Sequence, residues 1–461
     1  MVSNIFRVLI SNGIVALVGL ISSLFLPNLL SIDDYAEYQT FILYISYVAF
    51  FNLGFPNGLS IKYAGKSFRS IEKQQLKSEM RFLLIIISFF SVLFIVLYTF
   101  SRNIMFLYVA VMTFCTCYLG AITQLLQAWG IFDLYAISHV IISAVPLALP
   151  IIIYFLLGKA SAIISIASYI LVYVIVTILY LLWQLILGKN YSCAKIFSKK
   201  NRDTEITGLF FHIGSYINVL FHNVDKQVIK WYCSVQEFSY YSFAITMQST
   251  MTILLTAVSQ PLFPYIAAGK LDSEKKVSFV KRSLLMLGSL SGAAYFVCML
   301  IVENWIPKYS NSLLVIRIYF ALFPAMAVVN CLYFNFYKVK KLKYRYTIDL
   351  MLMFAMAIVL DLAAIKLNNG HTGVAMATVA VYYFWLIYGV KVFPELKLTR
   401  NEYAFVFLYL ILFFGIQRVK SSILGLLLFV LADCILCQTL FRKEMKLILS
   451  YIFGKIEKLI R

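Results

Sequence analysis

Four polar side chains recur at a spacing of four inside one apolar stretch: Asn218, His222, Lys226 and Lys230. At 3.6 residues per turn, that spacing draws a slowly drifting stripe along one helix face. Asp225 lies seven residues from Asn218 and three from His222, near the same face. The stretch, residues 206–231, is expected to cross a membrane, where an ionisable group is costly and therefore marks a candidate site. Two lysines on a common face could hold an anion, and Asp225 could orient or neutralise one of them. Asn218 and His222 would extend the polar lining. The plainer alternative is that Lys226 and Lys230 stretch their stems toward the outer interface, where this segment ends. Asp225 and Lys226 do not pair by adjacency alone, because neighbouring residues diverge on a helix.

Other candidates are scattered. Arg317 stands about a turn and a half into a later apolar stretch. Its planar fork suits phosphate oxygens, while an interface anchor or an ion pair with Asp225 or Asp361 would explain it equally. His212 reads first as a packing residue and second as a proton carrier. Asp361 and Asp433 are unpaired in the sequence. Asp433 could bind a coupling ion, with bundle packing or a partner interface as the plainer role. Lys62 and Arg81 flank an inner loop, where topology already calls for cations. Asn12, Asn57 and Gln260 are uncharged partners for hydroxyl groups. Cys434 and Cys437 form a C-x-x-C, but on a membrane helix that is one turn of a face, and no further ligands stand near it. No metal and no cofactor are expected.

These residues sit in a chain of 461 residues that is 62% hydrophobic and only 13% charged, with mean hydropathy +0.87. A soluble domain is about half apolar and a quarter charged. Fourteen stretches are long and apolar enough to be spans: 8–30, 39–61, 82–100, 104–130, 136–157, 161–187, 206–231, 238–265, 280–302, 312–337, 346–365, 372–393, 402–416 and 421–441. The expected fold is an all-α polytopic membrane protein. The first span is too long for the apolar core of a signal peptide and lacks a small-residue cleavage site. No loop is long enough for a soluble catalytic domain.

The net charge of +20 invites a nucleic-acid reading. Its distribution argues otherwise, because the basic residues lie between apolar runs. With the N-terminus inside, the inner segments hold 31 of the 40 lysines and arginines, as the positive-inside rule requires. Both termini are then expected in the cytoplasm. The last twenty residues mix lysines with Leu447, Ile448, Ile452, Phe453, Ile456 and Leu459, the pattern of a basic amphipathic helix on the membrane surface.

The chain also repeats itself. "SIDDYAEYQTF" at 31–41 returns as "SVQEFSYYSFA" at 234–244, "AGK" at 64–66 returns at 268–270, and Pro56 matches Pro261. The copies stand six spans apart, an even number, so the halves share one orientation and imply a pseudo-twofold axis along the membrane normal. The expected plan is two parallel six-helix bundles around a central cavity, plus two extra helices. Its boundaries are a first bundle at 1–188, a linker at 189–205, a second bundle at 206–400, the extra helices at 401–441 and the tail at 442–461. Such a plan is that of a transporter with its path between the halves. Gly54 and Gly58, with Pro56 between them, are expected to bend the second span and admit another helix.

At these positions the chain resembles the Wzx-type polysaccharide flippases, in the superfamily that also holds the MATE exporters and lipid II flippases. The resemblance rests on Asp34-Tyr35-Ala36-Glu37-Tyr38 and Glu237-Phe238-Ser239-Tyr240-Tyr241, where the family has an acid, an aromatic, a glycine, any residue and a tyrosine. Ala36 and Ser239 replace the glycines but stay small, so a tight turn is expected to survive. It rests further on Leu53-Gly54-Phe55-Pro56-Asn57-Gly58, on Asp225, and on "LLVIRIYFALFP" around Arg317. It covers residues 1–400. The resemblance implies export of an oligosaccharide repeat unit, for O-antigen or capsule, on undecaprenyl diphosphate across a bacterial inner membrane by alternating access. Lys226, Lys230 and Arg317 would then face the diphosphate, with Asp225, His222, Asn218, Asn57 and Lys62 lining the path. Coupling to H⁺ or Na⁺, and association with a polysaccharide polymerase and chain-length proteins, go with that reading.

Three alternatives differ in class or cargo. A MATE-like drug/ion antiporter would normally stop near twelve spans and present acids for cations. A lipid II flippase would share the plan. A membrane-embedded glycosyltransferase could use Asp33 and Asp34 on the first outer loop, but the second copy has Gln236 and Glu237 there, and the repeat explains the acids more simply. A polymerase would need a large outer loop, and none exists.

Overall fold

The computed structural model describes residues 2–450, apart from 190, 193, 270, 272, 368, 369, 420 and 449. Among them, all regular structure is helical. The first half contains α1 (Val2–Leu29), α2 (Ile32–Tyr47), α3 (Phe55–Tyr63), α4 (Lys73–Ser101), α5 (Ile104–Ala128), α6 (Phe132–Leu157) and α7 (Ala162–Gly188). After α8 (Lys199–Tyr232) come α9 (Val235–Ala267), α10 (Glu274–Ser291), α11 (Ala294–Trp305), α12 (Leu313–Phe320), α13 (Phe323–Val328) and α14 (Phe334–Val339). The chain continues through α15 (Lys343–Lys366), α16 (Gly370–Val392), α17 (Arg400–Ile416) and α18 (Ser422–Leu440).

Among the described residues, ten segments are long and apolar enough to cross a membrane, or up to 12 if each bent pair is one span. The two remaining expected spans are also helices. α8 is long but carries charge at both ends and at Asp225 and Lys226, and α17 is only 17 residues. The protein is thus a multi-pass helical membrane protein, with a helix at each of the fourteen expected spans. By internal contacts it divides into two units, Met1–Asn223 and Val224–Arg461, and the division falls within α8.

In the first unit, α1 packs along α6, α4 along α5, and α7 against α5 and α6. Phe55, Leu59, Leu83, Ile87, Tyr118 and Leu125 form its core. Phe89, Phe100, Phe155 and Leu156 are exposed, as suits a surface whose solvent is hydrocarbon. Lipid gives no hydrophobic drive for helix association, so close backbone packing matters more. The α3–α8 crossing is such a place. The expected bend of the second span is present, 58° between α2 and α3, with Leu53 and Gly54 both at positive φ (49° and 77°). A Cβ on Gly54 would stand 2.6 Å from the Gly208 carbonyl oxygen, and one on Gly58 would overlap the Thr204 carbonyl. Gly58→Leu is therefore expected to destabilise the protein by about 1–3 kcal/mol or more, read as a lower unfolding temperature in detergent.

In the second unit, α12 packs on α9 and α16, α13 on α10, and α15 along α16. A 51° bend separates α12 from α13. Tyr319, Phe323, Leu332, Tyr333 and Trp385 are fully or almost fully buried. α17 pairs with α18, and α18 lies on α11. A buried charge cluster fastens this pair. Lys281 on α10 meets Glu402 on α17 at 2.9 Å, and Arg282 meets Glu402 at 3.0 Å and Glu444 at 2.7 Å. Residues 442–448 are helical. The rest of the expected amphipathic tail, 451–461, lies outside the described residues.

Candidate functional site

The repeated motif proves to be a helix start rather than a free turn. Ser31 caps α2, its Oγ accepting from the Asp34 N–H at 3.0 Å. Ser234 caps α9 in the same way, accepting from the Glu237 N–H at 3.2 Å. Both copies thus open a helix on a serine N-cap, completed to a capping box by Glu237 in the second, so Ala36 and Ser239 stand inside a helix and need no glycine. The acid has a second partner in each copy, at the first turn of the last helix of its half. Asp34 Oδ1 accepts from the Ala162 N–H of α7 at 2.9 Å, and Glu237 Oε1 meets His371 Nδ1 of α16 at 2.9 Å. A carboxylate favours the positive end of a helix. Asp34→Ala is expected to cost about 0.5–2 kcal/mol, measured by thermal unfolding against Asp34→Asn, which keeps an acceptor.

The most polar buried site gathers around Asp225. Asp225 is 5% exposed. Its Oδ2 accepts from the Tyr241 hydroxyl of α9 at 2.8 Å and from the Tyr319 hydroxyl of α12 at 2.7 Å. The two phenols also touch each other, and Thr378 of α16 is hydrogen-bonded to Tyr319. Two phenolic donors on one oxygen suit a charged carboxylate, because charge-assisted bonds are about twice as strong as neutral ones. Asp361 on α15 lies in the same unit. It is 1% exposed, and neither of its oxygens has a hydrogen-bond partner among the described residues. Helices α8, α9 and α12 thus meet at Asp225, and α15 carries a second buried acid. A carboxylate buried at such depth without a hydrogen-bond partner is costly, which marks Asp361 as a candidate site. Lys226 is buried next to Asp225 and its backbone N–H bonds Asp225 Oδ1 at 2.7 Å.

The other candidates lie elsewhere. Lys230 holds its ammonium 5.1 Å from the centre of the Phe238 ring, within the second copy of the motif. Asn218 is half-buried and His222 exposed, both on the part of α8 that belongs to the first unit. Asn57 faces His212 across the α3–α8 crossing at 3.5 Å, and His212 stacks with Phe50 and Tyr216. Lys62 is bound to Glu79, which is fully buried and also accepts from the Tyr63 hydroxyl at 2.6 Å. Arg317 lies over the Phe414 ring of α17 and donates to the Phe414 carbonyl at 3.3 Å. Tyr319, two residues on, points from the opposite face of α12, so Arg317 and Asp225 are not brought together. Asp433 is buried on α18 and accepts from Ser289 of α10 at 3.2 Å. Tyr241 and Tyr319 are the site residues that the sequence did not announce, although Tyr241 stands in the repeated motif.

No family profile matches the sequence, and neither does any curated protein. Among solved structures, the fold is similar to that of the lipid II flippase MurJ in an inward closed conformation. The two share 16% of their residues, with a TM-score of 0.63 over 95% of this chain and 99% of that one.

Proposed function

We propose that this protein is a flippase that moves a lipid-linked oligosaccharide, an O-antigen or capsule repeat unit on undecaprenyl diphosphate, to the outer leaflet of a bacterial inner membrane. What supports the reading is the two buried acids Asp225 and Asp361, in a helical fold similar to that of a solved lipid II flippase. Transport is by alternating access. Asp225 and Asp361 take up the coupling H⁺ or Na⁺, and its binding and release shift the balance between inward and outward states. Lys226 is the basic residue best placed to feel that charge, and it and Lys230 attract the diphosphate. Arg317, held on Phe414, positions α17. Cations and dipoles of the protein replace water around the two phosphates and lower the cost of their crossing.

A lipid II flippase is the second reading, favoured by the solved structure with the similar fold. Deleting the gene and extracting the lipid-linked precursors separates the two. Accumulation of complete repeat units with loss of surface glycan is the expected result. Accumulation of lipid II with lysis would transfer the proposal to that cargo. Sensitivity to cationic drugs with unchanged surface glycan would overturn both in favour of an antiporter.

A further inference from the structure

The second unit holds a cleft of about 820 Å³ between the end of α9, the start of α10 and residues 443–447. Its lining is of two kinds. Lys275, Lys276 and Lys443 bring ammonium groups, and Leu262, Phe279 and Leu447 bring apolar surface. The three lysines are exposed. Of the acids in the lining, Glu444 is engaged by Arg282 and Glu274 sits in the first turn of α10. Ser273, at the N-cap of α10, makes no side-chain capping bond. Its side chain therefore leaves the N–H groups of that first turn as donors for an anion.

A pocket at the start of α4, in the first unit, is filled by that unit's own side chains. Phe68 packs on Trp129 and Trp183 at 4.9 and 6.2 Å. Lys73 lies 3.2 Å from the centre of the Phe68 ring and donates to the Phe68 carbonyl. The pocket left there is about 60 Å³. The cleft of the second unit is far larger, with Leu271 and the three lysines in its lining.

An occupant must be anionic at one end and apolar at the other. The lysine-rich ends of the helices belong to the inner face by the distribution of charge. We propose that this cleft binds the phosphate headgroup of an anionic phospholipid of the inner leaflet, its acyl chain running along Leu262, Phe279 and Leu447. The bound lipid ties residues 442–448 to α10.

The test uses the full-length protein in phosphatidylcholine nanodiscs that contain a minority of phosphatidylglycerol, with retained lipid counted by native mass spectrometry. Selective retention of phosphatidylglycerol by the wild type is the expected result. The combined Lys275→Gln, Lys276→Gln and Lys443→Gln variant should lose it, since each lysine near an anionic surface is worth about fivefold in affinity. The corresponding triple Arg variant should keep it. Melting curves in phosphatidylcholine alone should be the same for the wild type and the Gln variant. If the triple Gln variant melts early, Lys443→Gln alone carries the comparison, with a drop of about fivefold expected. Retention unchanged by the Gln substitutions, or no selectivity in the wild type, overturns the proposal. So does stabilisation by inorganic diphosphate without retention of phosphatidylglycerol, which would assign the cleft to the diphosphate of a cargo.

Discussion

Glu402→Ala is expected to cost the second unit about 3–5 kcal/mol, the cost of breaking a buried ion pair from one side. Glu402 and Lys281 are 0% and 1% exposed. With Glu402 gone, Lys281 keeps the backbone carbonyls of Leu396 and Lys397 but faces Arg282 with no carboxylate between them. Alanine also removes the Glu402 half of the capping box of α17, since Glu402 Oε2 accepts from the Thr399 N–H at 2.8 Å. Glu402→Gln restores an acceptor for that cap, worth about 1 kcal/mol, and should recover only that part. The readout lies on the next helix. Cys437 is buried and Cys434 exposed on α18. In the wild type a thiol reagent should label Cys434 far faster than Cys437, and in Glu402→Ala the two rates should converge. Protection of Cys437 unchanged by the substitution would show that the charges do not hold α17 and α18 in place.

Asp225→Asn is expected to abolish transport while the protein stays in the membrane. The amide keeps the shape and an oxygen for the two phenols, so the fold should survive. It removes the charge, and with it the charge-assisted share of bonds worth about 1.5–3 kcal/mol each. Asp225→Ala goes further and strands two buried hydroxyls, at roughly 1–3 kcal/mol apiece. It should therefore lower both stability and abundance. Tyr319→Phe and Tyr241→Phe each remove one donor and should leave partial export. Asp361→Asn should resemble Asp225→Asn if, as proposed, the two acids share the coupling ion. Surface glycan staining together with immunoblotting of the membrane fraction measures all five. Full export by Asp225→Asn would remove the acid pair from the mechanism.

The helices were legible because lipid imposes a simple rule, namely long apolar stretches with every backbone group bonded internally. The two segments that fall short of that rule, α8 and α17, fall short for physical reasons. α8 carries the site's charges, and α17 is short and held at its start by Glu402. The bend at Gly54 was legible from two glycines flanking Pro56. The partners of Asp225 were not, because Tyr241 and Tyr319 come from two other helices, and only the folded chain joins them. The stripe from Asn218 to Lys230 is real as helix geometry, yet His222 is exposed and Lys226 buried. Equal spacing does not tell which turn of a helix meets a neighbour. The charge count accounted for Lys281 and Arg282 as inner-face cations, and so concealed that both are bound to Glu402. The repeated acid was read as part of a turn, because its second partner, the start of α7 or α16, is more than 100 residues away.

The most direct test of the flippase reading is leaflet exchange in vesicles. Purified protein is reconstituted with undecaprenyl-diphosphate-linked oligosaccharide, and the fraction of oligosaccharide accessible to an added, membrane-impermeant glycosidase is followed in time. The account predicts that the wild type makes the inner-leaflet pool accessible, that Asp225→Asn does not, and that an H⁺ or Na⁺ gradient changes the rate for the wild type alone. An accessible fraction that stays at the level of protein-free vesicles, with active protein shown by uptake of a cationic drug, would contradict it.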